Sequence, residues 1–512
     1  MSLFKATACV AMLTATMLLS GCVSDNSTSP GSASAPPKRG GSITMSLSTA
    51  IDTWNPQEAL SSQSFNVYSQ VYASLLRSTP DGKTLLPALA SSYQADPAAK
   101  TLTFTLDPAA KFSDGRQVTS ADVKFSEGLW STGQLYGSYF SSITSVETPT
   151  PQTVVFRLSQ PDTTLPAILS TANAAIFPDN YGGRTAADFW KKPTGAGPFG
   201  IDNQAVGRSI SLTRNPHYYR AGLPYLDGVE YKVVTDAYQR LLQFHSGSLD
   251  VVNDVELATA LQYQQDKIVS APSSGVSVLT MNTKSGPLGN VDLRKAIALA
   301  IDYRKLVAGG YADQATVATS LLPQNVPGVT PCPTCAWSTT DVAAAKNLVG
   351  TSGYTGQNLK LLAPSSTAEE LAAQALVPML AQVGINATVV PLPTSSLIDR
   401  LGKGDFQLAM ITYSALAPSP IDPLGFLAST GVVFSQSDPG PANAALSGVH
   451  AASNPAEVTT AVHAFEKSAN ASDAVIPLAV PNALQAVAGR VRGFLPAPYL
   501  AYCADELSVE NR

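Results

Sequence analysis

One pair of cysteines, with two residues between them, has the spacing that points most directly to chemistry. The segment Cys332-Pro333-Thr334-Cys335 has the C-x-x-C spacing of zinc sites and of thiol-redox centres. A structural zinc site needs four ligands, and the four histidines of the chain show no ligand spacing to each other. A redox pair begins a helix after a strand, whereas Pro331 and Pro333 indicate a loop. We therefore expect a local disulfide between Cys332 and Cys335, and no bound metal.

A glycine cluster between Gly195 and Gly200 has the letters of a second chemical motif. It matches G-x-G-x-x-G, but a dinucleotide site needs a strand before the motif and a helix that opens from it. Pro193 precedes the cluster and Pro198 lies inside it, so no helix N-terminus is available for a pyrophosphate. The sequence also has no G-x-S-x-G elbow, no Walker A loop and no H-E-x-x-H. It predicts a protein that is not an enzyme and has no cofactor.

Composition restricts the class of protein further. The chain has 512 residues, with 32 Lys plus Arg against 37 Asp plus Glu, and a formal net charge of −5. An acidic chain without basic runs lacks the electrostatic footprint of a nucleic-acid-binding protein. Hydrophobic residues make up 45% of the chain, an ordinary globular value. Because single cores stop growing at about 250–300 residues, we expect two or more.

The N-terminus reads as an export signal. Residues 1–21 hold one positive charge and an apolar stretch, and the signal ends in Leu19-Ser20-Gly21-Cys22, which resembles the bacterial lipobox. There, cleavage leaves the cysteine first and acylates it, so Cys22 is expected to carry the lipid (palmitate among its acyl chains) that holds the protein at the extracytoplasmic face of the cell membrane. The alternative is an ordinary secretory signal with a chance cysteine. Residues 22–39 are rich in Ser, Pro and Gly and predict a flexible tether.

Periodicity along the rest of the chain predicts alternating strands and helices. Residues 102–106 alternate Thr with apolar residues, which is typical of a strand. Residues 292–307 place apolar residues on one face and predict a single amphipathic helix capped by Asn290. Thr119 or Ser120 can cap an earlier helix. Such alternation indicates an α/β architecture.

Eight blocks, spread through nearly the whole chain after the leader, have the order and spacing of blocks that occur together in one family. They are Asp52-Thr53-Trp54-Asn55-Pro56 and residues 71–76, 86–90, 112–126, 195–199, 214–219, 246–250 and 292–302. In these blocks the chain resembles the family 5 extracellular solute-binding proteins, the peptide- and nickel-type receptors of bacterial ABC importers. The most specific block, residues 112–126, reads as turn and cap chemistry, so it informs on the fold rather than on the ligand.

The resemblance implies a two-lobed, periplasmic-binding-protein-like α/β clamp with an extra domain inserted in the first lobe. Mapped onto this chain, the first lobe comprises residues 40–78, 190–280 and 481–512, the inserted domain 79–189, and the second lobe 281–480. Ligand would bind between the lobes and favour their closure. The protein is expected to be a monomer that delivers its solute to the membrane subunits of an importer.

The resemblance also suggests which residues meet the ligand. In peptide-binding relatives the peptide backbone pairs with short strands, which by position lie near residues 60–62 and 414–417. Oligopeptide receptors place an aspartate after the second strand to hold the ligand's amino terminus, and Ser419 stands there in this chain. Asp422 either takes that role or is a turn residue before Pro423. The implied ligand-binding residues are Leu60, Ser61, Ser62, Tyr413, Ser414, Ala415, Ala417, Ser419 and Asp422.

The function expected from these observations is capture of oligopeptides by a lipid-anchored receptor of an ABC importer. Within the same fold, the solute could instead be an oligosaccharide, haem or a metal chelate. From other classes, an envelope thiol-redox lipoprotein would depend on Cys332 and Cys335, and an envelope hydrolase would need a nucleophile and a base that no segment suggests.

Overall fold

The fold is described from a computed structural model. It covers residues 37–59, 61–264, 267–326, 328–331, 337, 339–365, 368–427, 435–438, 440–496 and 504–510. The predictions for the leader, for Cys22, for Leu60 and for the Cys332–Cys335 disulfide lie outside these residues.

Strands and helices alternate along the chain, as the sequence predicts. The strands are β1 (Ser42–Leu47), β2 (Leu76–Ser78), β3 (Leu85–Pro87), β4 (Ala90–Asp96), β5 (Thr101–Leu106), β6 (Ile143–Thr150), β7 (Thr153–Leu158), β8 (Phe199–Ala205), β9 (Ser209–Arg214), β10 (Gly228–Val233), β11 (Val251–Val252), β12 (Ile268–Pro272), β13 (Gly275–Met281), β14 (Ala315–Val317), β15 (Leu359–Pro364), β16 (Ala387–Leu392), β17 (Leu408–Ser414), β18 (Val475–Val487), β19 (Val491–Arg492) and β20 (Ser508–Val509). The α-helices are α1 (Ser62–Val71), α2 (Ser120–Ser131), α3 (Leu165–Ile168), α4 (Ala186–Phe189), α5 (Ala237–His245), α6 (Leu257–Ala260), α7 (Val291–Ala300), α8 (Tyr303–Gly310), α9 (Val342–Thr351), α10 (Ala368–Gln382), α11 (Thr394–Lys403), α12 (Ile421–Phe426), α13 (Gly440–Ala451) and α14 (Pro455–Ser472).

The largest sheet joins twelve strands of the described ranges. Its path runs β16-β15-β17-β13-β18-β11-β1-β10-β9-β8, and β12 and β14 pair with β18. Strands β15 and β16 are parallel, and α10 connects them and packs on both. Two parallel neighbouring strands need such a crossover, because the chain must return to the starting edge of the sheet before the second strand begins. The predicted α/β class is confirmed.

Strand β18 links the two ends of this sheet. Its residues 475–479 pair with β13, whereas its residues 482–486 pair with β12. Strands β12 and β13 themselves follow each other with two residues between them. The chain therefore crosses from one part of the sheet to the other along β12–β13 and again within β18, where a small backbone rotation would move one part relative to the other.

A smaller antiparallel sheet, β4-β5-β7-β6, is separate from the large one. Strand β5 confirms the strand predicted at residues 102–106, and its apolar side chains are buried on one face. Among them, Phe104 packs edge-on against Phe156 of β7, with ring centroids 5.6 Å apart. Helix α2 follows in the chain, and Thr119 is its N-cap, as one of the two predicted candidates. The Asp122 carboxylate closes the capping box by accepting from the Thr119 N–H at 2.7 Å.

The single helix predicted at residues 292–307 is wrong in one respect, because the structure breaks it in two. Asn290 caps α7 as predicted, accepting from the Asp292 N–H at 2.8 Å. The helix then ends at Ala300, and α8 begins at Tyr303. The break follows from Asp302, whose carboxylate accepts from the Lys305 N–H at 3.1 Å and acts as a second N-cap.

The described ranges hold no helix that is both long and apolar enough to cross a membrane. The same ranges contain no group of three His, Cys, Asp or Glu side chains arranged to hold a metal ion.

Candidate functional site

The first wall of the candidate site is an aromatic face of α1. Phe65, Tyr68 and Tyr72 lie at helical spacing and are buried, with ring centroids 5.6 Å and 5.5 Å apart along the row. The Tyr72 hydroxyl donates to the Trp54 carbonyl at 2.6 Å, and the Tyr68 hydroxyl donates to the Thr53 carbonyl. These bonds fix the rings, because a buried hydroxyl keeps its partner.

The N-terminus of α1 contains two of the predicted ligand residues. Ser61 is the N-cap, with an extended backbone and a side chain that accepts from the Gln63 N–H. Its own N–H donates to Asp52 at 3.0 Å. The short strand was expected at residues 60–62, and of these the structure describes an extended backbone at Ser61 and a helical one at Ser62. Capping explains the difference, since a serine before an amphipathic run stabilises a helix start.

A pocket of about 220 Å³ lies against this aromatic wall. Besides the α1 face, it is lined by β2 and its flanking residues, by residues 170–173 of the predicted inserted domain, and by two residues that follow β17. The lining residues include Phe65, Tyr68, Tyr72, Arg77, Asn173, Arg220, Leu416 and Pro418. The pocket thus joins α1 to the loop between β17 and α12, which is the second segment that the sequence assigns to the ligand.

Three backbone donors of that loop, the N–H groups of Ala415, Leu416 and Ala417, are engaged within the protein. The Ala415 N–H donates to the Ser274 carbonyl at 2.9 Å, and the Ser274 hydroxyl returns a bond to the Ala415 carbonyl at 2.7 Å. The next two N–H groups, of Leu416 and Ala417, donate to one oxygen of Asp422. Within the described ranges, no donor reaches the carbonyls of Leu416 and Ala417. The loop therefore keeps two carbonyls that accept no hydrogen bond within the described ranges.

Asp422 is the centre of this arrangement. It lies in the first turn of α12 and is only 3% exposed. One carboxylate oxygen takes the two loop N–H groups, and the other accepts from the hydroxyl of Tyr139, a residue beside the small sheet. Burial raises the pKa of Asp422 to about 6, and the three hydrogen bonds limit that rise. The role of Asp422 toward a ligand ammonium stays a prediction.

The remaining predicted residues of this segment surround the loop. The Tyr413 hydroxyl donates to the Leu321 carbonyl, and the Tyr413 ring stacks on Phe426 with centroids 5.2 Å apart. Ser414 is exposed and faces Gly275 in the β17–β13 ladder. Ser419 is buried and its hydroxyl accepts from the Ile421 N–H at 3.4 Å.

The structure therefore brings together Tyr413, Ser414, Ala415, Ala417, Ser419 and Asp422 in one strand-end and loop. Ser61 and Ser62 lie at the far end of α1 from Tyr72. Sequence reasoning missed the aromatic wall and the two polar lining residues Arg77 and Asn173. The i, i+3, i+7 spacing of Phe65, Tyr68 and Tyr72 is the signal that could have found the wall.

A second contact joins the small-sheet region to the part of the chain that follows α12. His450 at the end of α13 approaches the Asp162 carboxylate, with Nδ1 to Oδ2 at 3.4 Å. Burial alone would raise the pKa of Asp162, but hydrogen bonds from His450, Thr164 and Ser142 outweigh it and hold that pKa below its usual value. Together with Tyr139–Asp422, this contact ties residues of the predicted inserted domain to residues of the predicted second lobe.

Comparison with known proteins places the chain in a family. The profile of the bacterial extracellular solute-binding proteins, family 5 middle, matches residues 84–434. The probable D,D-dipeptide-binding periplasmic protein DdpA of Escherichia coli K12 is 30% identical over 356 residues, which is 66% of each chain.

Two solved structures share the fold. The structure of AgaA from A. tumefaciens R10, in complex with agropinic acid, gives a TM-score of 0.75 at 24% identity, covering 92% of this chain and 99% of that one. The oligopeptide-binding protein AppA of Bacillus subtilis, in complex with a nonapeptide, gives a TM-score of 0.79 at 19% identity, covering 93% and 100%. The two-lobed architecture expected from the sequence is confirmed, and the chain belongs to the bacterial extracellular solute-binding proteins of family 5.

Proposed function

We propose that this protein is the extracytoplasmic receptor of an ABC importer and that it captures oligopeptides between two closing lobes. The observation that carries the proposal is the loop after β17. The N–H groups of Ala415, Leu416 and Ala417 are held by Ser274 and Asp422, whereas no hydrogen bond within the described ranges reaches the carbonyls of Leu416 and Ala417. A peptide supplies such donors at regular spacing in its backbone, whatever its side chains are. The likeness to DdpA supports the same class of solute.

The clamp motion follows from the same chain path. We propose residues 40–78, 190–280 and 481–512 as the first lobe, 79–189 as the inserted domain and 281–480 as the second lobe. The crossings along β12–β13 and within β18 would serve as the hinge. Ligand contacts made with both lobes at once would favour the closed form, because only differential contacts can shift such an equilibrium.

Anchoring and assembly belong to the proposal as well. Cys22 would carry the lipid, residues 22–39 would form the tether, and the receptor would meet the importer's membrane subunits as a monomer. Cys22→Ala should shift the protein out of the detergent phase, and unchanged partitioning would refute the anchor.

Cys332 and Cys335 would form a disulfide. Intact-mass measurement should then show that reduction adds two hydrogen atoms to the protein, because two thiols replace one S–S bond. Two free thiols before reduction would refute it.

A non-peptide solute is the second candidate. The likeness to AgaA, whose structure holds agropinic acid, favours it, since that fold accepts a small organic acid. In that case the loop carbonyls would accept from hydroxyl or amide groups of the solute rather than from a peptide backbone.

Mass spectrometry of the compounds released from natively purified, then denatured protein separates these candidates. We expect oligopeptides, recovered chemically unchanged after renewed incubation with the protein. A matched sample of the purified protein after refolding without solute provides the background. A single non-peptide compound at one per chain would replace the peptide proposal, and an altered compound would refute binding without catalysis.

A further inference from the structure

The carboxylate of Asp162 is held by hydrogen-bond donors from its own part of the chain. One oxygen accepts from the Thr164 N–H at 2.9 Å, from the Thr164 hydroxyl at 2.6 Å and from the Leu165 N–H at 3.1 Å. The other oxygen accepts from the Ser142 hydroxyl at 2.7 Å. All these donors belong to the predicted inserted domain, and hydrogen bonds of this kind keep a buried carboxylate ionised. Asp162 is therefore an anion that the inserted domain forms without help from the second lobe.

One ionisable side chain of the predicted second lobe reaches this anion within the described ranges. The Nδ1 of His450, at the end of α13, lies 3.4 Å from Asp162 Oδ2, and the two side chains are 11% and 0% exposed. Beside this pair, the Thr163 hydroxyl donates to the Ala452 carbonyl at 3.4 Å. The contact between the two regions thus combines one titratable pair with one neutral hydrogen bond.

The other ionisable groups around His450 have different partners. Helix α13 contains no second ionisable side chain, and neither does the β7–α3 loop besides Asp162. The helices packed on α13, α12 and α14, contribute five such groups: Asp422, Glu457, His463, Glu466 and Lys467. Lys467 is exposed, and each of the other four forms a hydrogen bond with a group other than His450. In the part of the chain that the structure describes, His450 therefore has Asp162 as its charged partner.

We propose that Asp162 and His450 form a pH-sensitive latch between the inserted domain and the second lobe, which favours closure of the clamp when His450 takes up a proton. A neutral imidazole offers the carboxylate at most a neutral N–H, whereas the protonated ring adds a charge-assisted hydrogen bond. When the lobes open, the two groups separate and this attraction is lost. Closure is therefore coupled to proton uptake, and it is favoured as the pH falls through about 6.5, where histidine side chains ordinarily titrate. This inference rests on the proposed function in taking the two lobes as a clamp.

Small-angle scattering of the full chain without added solute, at pH 5.5 and at pH 8.0, tests the latch. For the wild type we expect a smaller radius of gyration at the lower pH, from a closed-to-open ratio that rises about 3- to 10-fold. His450→Gln should abolish this rise, because glutamine keeps a hydrogen-bond donor but takes up no proton. Asp162→Asn should abolish it by removing the anion. Thr163→Val, which removes the neutral hydrogen bond of the same contact, should retain it.

The comparison between variants isolates His450 from other titrating groups. Burial raises the pKa of Asp422 to about 6, but Asp422 is present in every variant, so its own titration cancels. An equal change of radius between the two pH values in the wild type and in His450→Gln would overturn the latch. Loss of the change in Thr163→Val would also overturn it, because the response would then follow the packing of the contact rather than the charge of His450. Melting curves show that each variant is folded, and His450→Gln keeps the test valid if Asp162→Asn unfolds.

The latch and the proposed function fail in different ways, since the scattering measurement contains no peptide. Recovery of peptides from the native protein, together with equal responses of the wild type and His450→Gln, would overturn the latch and leave peptide capture standing. Recovery of a non-peptide compound, together with a change of radius that depends on His450, would support the latch and replace peptide capture.

Discussion

At the scale of single residues, Asp422 shows how a carboxylate can act on a ligand through the backbone. Its two oxygens accept hydrogen bonds from the N–H groups of Leu416 and Ala417 and from the Tyr139 hydroxyl. The carboxylate is therefore stabilised by groups of the protein. We therefore treat Asp422 as a residue that positions the loop after β17. The alternative expected from the sequence is that Asp422 contacts the ligand's amino terminus directly.

Asp422→Asn distinguishes the two roles. An amide in that place presents one acceptor oxygen and one NH2 group to the three donors, so one donor loses its acceptor and the loop shifts. We expect affinity to fall roughly tenfold for a peptide recovered with the native protein, and equally for its N-acetylated form. Calorimetry measures both. Asp399→Asn, which changes an exposed carboxylate on α11, is the control.

A selective loss for the free-amino peptide would instead support direct contact between Asp422 and the ligand ammonium. Unchanged affinity for both peptides would show that the loop keeps its conformation without the carboxylate.

Glu466 is a second buried carboxyl with a consequence for stability. It lies on α14 with no exposure, accepts from the Ser320 hydroxyl, and has one oxygen without a hydrogen bond. Burial raises its pKa from 4.5 to about 7. Because the folded state holds the proton more tightly than the unfolded state, the stabilisation is complete below about pH 4.5 and is lost as the pH rises through 7.

Glu466→Gln should therefore flatten the pH dependence of stability. We expect the wild-type protein to lose about 2 kcal/mol of unfolding free energy between pH 5 and pH 8 through this group, and the variant to keep it. Denaturant unfolding at the two pH values measures the difference. Glu58→Gln, which alters an exposed glutamate, should follow the wild type. An equal slope in wild type and Glu466→Gln would show that Glu466 titrates at its ordinary pKa.

At the scale of elements, the break between α7 and α8 depends on one cap. Asp302 interrupts an apolar pattern that otherwise suits a continuous helix, and it does so because its carboxylate takes the Lys305 N–H. A cap supplies a hydrogen bond that the helix start lacks, and the weak helix propensity of Ile301 and Asp302 favours the break further.

Asp302→Ala should destabilise the protein by about 1 kcal/mol, because the α8 start loses its side-chain acceptor. Asp302→Asn is the matched control, since asparagine caps as well as aspartate while the exposed ion pair with Lys305 is removed. Urea unfolding compares the two. A loss of equal size in both variants would assign the stabilisation to the ion pair rather than to the cap.

At the scale of the whole molecule, two buried contacts connect the small-sheet region to the second half of the chain. Tyr139 meets Asp422 beside the pocket, and Asp162 meets His450 farther from it. Both contacts would separate if the lobes opened along the β12–β13 and β18 crossings. In the proposed closure, these contacts within the chain would add to those made by a ligand, and weakening them should shift the equilibrium toward the open form.

His450→Gln tests this connection. Small-angle scattering should show a smaller radius of gyration with bound peptide than without it for the wild type, and a smaller contraction for the variant. Peptide affinity should fall about 2- to 10-fold, because part of the binding free energy is then used for closure. His463→Gln, on a half-buried position of α14 that contacts Thr330, is the control. An unchanged radius of gyration on ligand addition in the wild type would refute the clamp itself.

The sequence determined those features that arise from neighbouring residues. The cap at Thr119, the strand at residues 102–106 and the start of α7 at Asn290 all depend on hydrogen bonds or side-chain alternation within a few positions. Such local signals are readable because the partners are adjacent in the chain. Their order along the chain also identified the family, and with it the two lobes and the loop after β17. The sequence did not predict the break at Asp302, because an apolar pattern that favours a continuous helix and a residue that caps a new helix occur at the same place.

Only the tertiary structure decided which distant side chains meet at the site. Tyr139 and Asp422 are 283 positions apart, Asp162 and His450 are 288 apart, and Arg77 and Asn173 share a pocket from separate elements. No spacing rule connects such pairs, since their contact depends on how strands, helices and loops pack in three dimensions. Whether a buried carboxylate has its hydrogen-bond donors, as Asp422 does, is likewise a property of that packing, because burial and the nearest donors set it.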